Sequence, residues 1–279
     1  MSTAVSPPYA GPDSDRRDAV AFRHLLQSEW TKIRSVRSTK WSLVLLFVLT
    51  IGFTTLIVGV TVAQWSHNGA ADRLVVTTDP VGFILAAGFQ FAQLTICVLG
   101  VLVITGEYST GMIKASLLAV PKRVPMLAAK CVVFAVLVFA VGLLVSFPSF
   151  FIGAGLLHSK VPVSLGDPGV LRAVIGAGLY LVVLGLFALA IGALLRHTGA
   201  GITAVIGIVL VLSPLAQLLP GSLGKHVHAY LPSEAGHLIA QASQGKDDLL
   251  SPWQGFGVFC LWTAVLLLLA TYFLKRRDA

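Results

Sequence analysis

Residues Leu171 to Leu219 read LRAVIGAGLYLVVLGLFALAIGALLRHTGAGITAVIGIVLVLSPLAQLL, and this stretch decides the fold. It holds two apolar runs, Leu171–Leu195 and Gly199–Leu219, joined only by Arg196-His197-Thr198. Each run exceeds the roughly 18 residues that a helix needs to cross a bilayer. Beyond Arg172 at the start, the basic residues sit at the joint, and no acidic residue is present. The stretch therefore reads as a pair of antiparallel membrane-spanning helices.

The same pattern recurs on both sides. Trp41–Ala63, Val81–Ile104, Met126–Leu157 and Trp253–Leu274 are four more apolar blocks, which makes six spans. The third is long for one crossing, and Pro148 is expected to kink or break it near its far end. The expected fold is an all-α polytopic membrane protein. Composition agrees: 56% of residues are hydrophobic and only 11% are charged, against roughly 25% charged in soluble domains. So few charges cannot cover a soluble surface, and the mean hydropathy of +0.86 points the same way.

The net charge of +8 needs no nucleic acid to explain it, because the basic residues flank the apolar blocks. With the N-terminus placed in the cytoplasm, fifteen Lys and Arg fall inside and five (Arg73, Lys160, Arg172, Lys225, Lys246) fall outside. That asymmetry predicts both termini in the cytoplasm and location in the inner or plasma membrane. Three external segments follow: 64–80, 158–170 and 220–252. In the last, Ser233 is expected to cap a short helix running to about Gln244, with Gly245-Lys246-Asp247-Asp248 closing it as a turn.

Residues 1–19 are rich in Pro, Ser and Asp and are expected to be a disordered tail. Residues 20–40 change character: Phe22, Leu25, Leu26, Trp30, Ile33 and Val36 recur at three- and four-residue steps, with Arg23, Lys32, Arg34 and Arg37 between them. This predicts an amphipathic helix with a basic face at the membrane surface. The block Trp41–Ala63 is too long for a signal peptide and is expected to stay as an uncleaved anchor. Gly178, Gly185, Gly192 and Gly199 fall at seven-residue steps. They let a neighbouring helix approach closely, and packing within the chain is favoured over a subunit interface.

Much chemistry is missing. No GxxxxGK[ST] phosphate loop, HExxH, Cys/His metal spacing or GxSxG elbow occurs, so neither a catalytic residue nor a metal site is expected. Cys97, Cys131 and Cys260 each lie in an apolar block and read as small core residues. His226 and His228 read as part of a solvated loop. The span centres carry no ionisable group of the kind that ion-coupled carriers use. Gln90, Gln93 and Thr95 in span two and Thr203 and Gln217 in span five are candidates for lining a polar path, although helix–helix hydrogen bonds are the favoured role.

The richest segment is ITGEYSTGMIKASLLAVPKRVPMLAAK, residues 104–130, the cytoplasmic link between spans two and three. Glu107 lies at the membrane edge and needs a partner there, with Lys130 or Arg123 in reach. This segment resembles the signature of ABC-2-type transporter permeases, the membrane subunits of ATP-driven exporters. The matching residues are Glu107, Gly111, Leu117-Leu118-Ala119, Pro121, Arg123 and Lys130; Met112 stands where the family usually has Thr. Ser28-Glu29-Trp30-Thr31-Lys32-Ile33-Arg34 is similar to the start of actinobacterial members, as are Leu231-Pro232-Ser233, Ser251-Pro252-Trp253-Gln254-Gly255 and the closing Arg276-Arg277-Asp278-Ala279.

The resemblance covers about residues 20–279 and implies a mechanism. Two permease subunits, identical or different, pair in the membrane over two copies of a separate ABC ATPase, which uses ATP and Mg. This chain itself binds no cofactor. Residues 20–40, with Glu29, Trp30, Lys32 and Arg34, correspond to the connecting helix, and 105–125 to the coupling segment. The implied function is export of an amphipathic or hydrophobic substrate. The alternatives are a non-transporting scaffold or sensor subunit, or a membrane-embedded enzyme.

Overall fold

The computed structural model describes residues 14–111, 123–218, 221–245 and 248–276. The first helix, α1 (Ser14–Ser35), is separated from α2 (Arg37–Ala63) by the single extended residue Val36, with φ −78° and ψ 112°. The amphipathic helix thus starts inside the stretch expected to be a tail and ends at Ser35, while Arg37–Lys40 open α2.

A short helix, α3 (Ala70–Thr78), precedes Asp79, whose Oδ1 accepts from Gly82 N at 3.0 Å and caps α4 (Pro80–Ser109). Pro80 at the first helical position suits that start. The helix carries on past the expected end at Ile104 and takes in Glu107. Next comes α5 (Arg123–Leu157), which runs through Pro148 without a break, contrary to one of the two outcomes anticipated. A proline removes one backbone hydrogen bond, and packed neighbours in a membrane bundle tolerate that loss.

Helix α6 (Val170–Leu195) starts after Gly169, at φ +83°, and stops at Arg196, at φ +54°. At Gly169 a Cβ atom would also lie 2.5 Å from the Ala242 carbonyl oxygen, so only glycine fits. His197 caps α7 (Thr198–Ile206), its Nδ1 accepting from Ala200 N at 3.2 Å. The fifth span continues through a widened π turn, Gly207–Val211, into α8 (Leu212–Gln217). Pro214 sits just beyond the wide turn, and proline lacks the N–H that a regular helix would pair with the carbonyl four residues back.

The chain then forms α9 (Gly221–Ala229), α10 (Pro232–His237) with a 3-10 turn at Leu238–Ala240, and α11 (Pro252–Arg276). Leu231, not Ser233, occupies the cap of α10. Pro232 takes the first helical position and pushes Ser233 inside, where it is buried. The helical run ends at Ala240 rather than Gln244. The turn at Gly245 does close, with Gly245 N donating to Asp248 Oδ2 at 2.6 Å.

Six helical stretches are long and apolar enough to cross a membrane: Thr39–Ala63, Pro80–Ser109, Val124–Leu157, Val170–Leu195, Thr198–Gln217 and Pro252–Arg276. The chain is an all-α, multi-pass membrane protein, with no strand among the described residues. Helix α6 is the centre. Its apolar stretch is 78% buried, against 22% for each of the first and last spans. It packs against α4, α5 and α11. Three of the heptad glycines serve that packing: Gly178 abuts Gly142, Gly185 meets Phe134 and Ile96, and Gly192 meets Val101 and Ile104. Gly199 belongs to the next helix and approaches only His197, because the turn at Arg196 ends the stripe.

Candidate functional site

Two carboxylates and two ammonium groups meet where α1 packs against the adjoining ends of α4 and α5. Glu29 and Lys32 lie one turn apart on α1, a spacing that puts them on one face. Glu107 comes from the last turns of α4, and Lys130 lies two turns into α5. Lys130 Nζ donates to Glu29 Oε2 at 2.5 Å and to Glu107 Oε1 at 2.8 Å. Lys32 Nζ donates to Glu29 Oε1 at 2.7 Å and to Glu107 Oε1 at 3.0 Å. The four groups form an alternating, charge-balanced ring.

Glu29, Glu107 and Lys130 are all buried, at 2%, 6% and 2% exposure. An unpaired charge in such a place costs several kcal/mol, on the order of the desolvation of one ion. The alternation of signs offsets that penalty. Compared with an apolar cluster the net stabilisation is near zero, so the ring is better understood as fixing where α1 sits. At Lys32, burial pulls the ammonium pKa down, but the hydrogen bonds and charges of Glu29 and Glu107 outweigh it and hold the pKa above the ordinary lysine value.

A cavity of about 380 Å³ opens beside the ring. Glu107, Lys32, Glu29 and Lys130 form its polar side, and Ile33, Val36, Leu99, Leu102 and Val103 its apolar side. Glu107 Oε2 is buried and accepts no hydrogen bond among the described residues.

The ring contains four of the residues singled out in the sequence. The others stand apart. Trp30 is 46% exposed and Arg34 is exposed. Gly111 ends α4 with φ +70°. Leu117 and Pro121 lie outside the described residues, as does the side chain of Arg123. Of the path candidates, Gln90 and Thr203 are exposed and Gln93 is buried. Thr95 Oγ1 donates to its own helix at Phe91 O. Gln217 Nε2 lies 2.9 Å from His228 Nε2. Neither described cavity is lined by any of these five.

Sequence reasoning offered Lys130 or Arg123 as the partner of Glu107 and missed that Glu29 and Lys32 complete the ring. A signal existed. Glu29 falls three residues after Leu26 and four before Ile33, so a carboxylate interrupts the apolar stripe of α1. A charge on an apolar face needs a buried partner.

A second polar group lies at the opposite face of the bundle. Asp79 Oδ1 also accepts from Ala242 N at 3.3 Å, and Arg172 donates to Ala242 O at 3.1 Å, so the segment after α10 is pinned to the starts of α4 and α6. Burial raises the Asp79 carboxyl above its ordinary value despite its hydrogen bonds. Ser213 Oγ donates to Glu234 Oε1 at 2.5 Å, and His228 Nε2 stands 3.6 Å from Glu234 Oε2. His226 and His228 lie on helix α9 rather than in a loop. They point to different partners, His226 to Ser222 O and His228 toward Ser213. No group of three metal-binding side chains exists among the described residues. Comparison with protein-family models and with curated proteins gives no match.

Proposed function

We propose that this chain is the membrane-spanning subunit of an ATP-driven exporter of the ABC-2 type, working with a separate ATPase and a second permease subunit in the plasma membrane. One observation carries the reading. The ring Glu29–Lys32–Glu107–Lys130 locks the N-terminal helix to spans two and three at the segment whose sequence resembles the coupling region of such permeases. A force applied to that segment reaches two spans and α1 through buried charges, which resist being separated. The lack of a phosphate loop supports a partner that supplies the energy.

Co-purification tests this. The tagged chain, gently solubilised from its native host, should bring down an ATPase in stoichiometric amount. Glu107→Gln should reach the membrane normally yet impair export. A chain that repeatedly purifies without any ATPase overturns the proposal.

A further inference from the structure

We infer that the cavity beside the charge ring holds an acyl chain of an anionic phospholipid, phosphatidylglycerol, whose headgroup lies against Arg34, Arg37 and Lys40 at the elbow between α1 and α2. The polarity of the cavity changes with depth. Thr39 opens the first span and Ser109 closes the second, so Thr39, Gly106 and Thr110 mark one edge of the bilayer. The ring lies at this polar end, since Glu107 follows Gly106, and its charges pair among themselves. Leu99, Leu102 and Val103 line the same cavity from deeper in the second span. Leu99 lies about 10 Å inward of Gly106 at the rise of an α-helix. The cavity is therefore polar at headgroup level and aliphatic at hydrocarbon level, which is the order of a phospholipid. Leu102 and Val36 line it and are also 37% and 45% exposed, so a chain enters from the surrounding bilayer.

Charge selects the headgroup. Arg34 and Arg37 flank the lining residues Ser35 and Val36 in the chain, and Lys40 follows the lining residue Thr39, so all three stand by the mouth. Each is exposed, and none makes an ion pair among the described residues. No carboxylate occurs between Trp30 and Trp41 to offset them. Trp41, 73% exposed and next to Lys40, sits where aromatic side chains mark the interface. Such a patch attracts a phosphate that carries net negative charge. Phosphatidylcholine and phosphatidylethanolamine are zwitterions and gain little from it. Basic residues beside a span also set topology, but that role leaves the aliphatic cavity next to them unexplained. The site depends only on the membrane position of the chain and stands or falls independently of the exporter reading.

The full chain in detergent is titrated with phosphatidylglycerol, phosphatidylcholine and phosphatidylethanolamine of one short chain length and read by native mass spectrometry. Phosphatidylglycerol should bind about tenfold more tightly than either zwitterion, as surface cations near one phosphate allow. The triple variant Arg34→Gln, Arg37→Gln, Lys40→Gln should lose that preference at an unchanged melting temperature, because the three side chains are exposed. Gly106 lines the cavity, and a Cβ added there meets nothing within 4 Å. Gly106→Leu should therefore occupy the cavity and weaken phosphatidylglycerol by about tenfold, the equivalent of about two buried methylenes. The control is Gly52→Leu, on α2 and away from the cavity, where a Cβ also meets nothing and binding should persist. Soluble glycerol 3-phosphate at equal concentration should not displace the lipid, since it has no chain to place in the cavity. Equal binding of the three lipids, a preference that survives in the triple variant, equal effects of Gly106→Leu and Gly52→Leu, or displacement by glycerol 3-phosphate would each overturn the assignment.

Discussion

Lys130 is the residue on which the ring turns, because it alone links Glu29 and Glu107 while being almost wholly buried. Lys130→Met leaves two buried carboxylates facing one partly exposed ammonium. The variant should lose about 3–5 kcal/mol of stability, as expected when one partner of a buried ion pair is removed. Thermal unfolding in detergent would show it, and adding Glu107→Leu should recover part of the loss, since paired charges couple. His237 governs a different response. It stacks edge-on against Tyr180, with Glu234 and Asp79 nearby and Lys225, His228 and Asp248 lining the same cavity. Burial lowers its pKa below the ordinary value, against the pull of Glu234 and Asp79. The unfolded chain therefore takes up the proton first as pH falls. Stability from His237 is complete above about pH 6.5 and declines below it. Asp79, with its raised carboxyl, acts in the opposite sense but in the carboxylate range further down. Hydrogen exchange in residues 232–240, corrected for intrinsic rate, should quicken as pH falls below about 6.5. His237→Gln should flatten that response; an unchanged response would show that His237 is not its source.

Among the elements, α4 makes the closest approaches. At Gly88 a Cβ would lie 2.1 Å from the Thr50 carbonyl oxygen, which is backbone and cannot step aside. Gly88→Ala should therefore drive α2 and α4 apart and cost about 1–3 kcal/mol or more, as overpacking does. Gly59→Ala on α2 meets nothing within 4 Å and should change the melting temperature little. Comparing the two variants in one unfolding assay separates crowding from helix propensity. The element scale also shows how far the sequence could be read. The apolar helices start within about two residues of where their apolar runs begin, because apolar length is a property of single segments, while the second runs on to Ser109. Ends governed by backbone geometry were not legible: the break at Val36, the cap at Leu231 and the intact passage through Pro148 depend on neighbours that no local pattern names. The ring was half legible. Glu107 and Lys130 were placed near each other by a short connecting segment, whereas Glu29 arrives from about a hundred residues upstream of Lys130 in the chain.

At the scale of the whole molecule, six spans and the 15-to-5 split of basic residues predict both termini on the cytoplasmic side. A fluorescent protein fused after Ala279 should light up in cells, and an alkaline phosphatase fused at Lys160 or Lys225 should be active. The reverse pattern would invert the topology and put the charge ring on the outer side, which would sink the exporter reading as well. The bundle is organised around α6, which is mostly shielded from lipid, and the shortest connection between two spans leaves from its end. Arg196 turns into the left-handed region and His197 caps the next helix, so spans four and five are joined by two residues. During synthesis this leaves no slack for one helix to settle in the bilayer while the other waits outside. The pair must enter the membrane as one hairpin, and the most enclosed helix of the finished protein is carried in by a neighbour that stays largely at its rim.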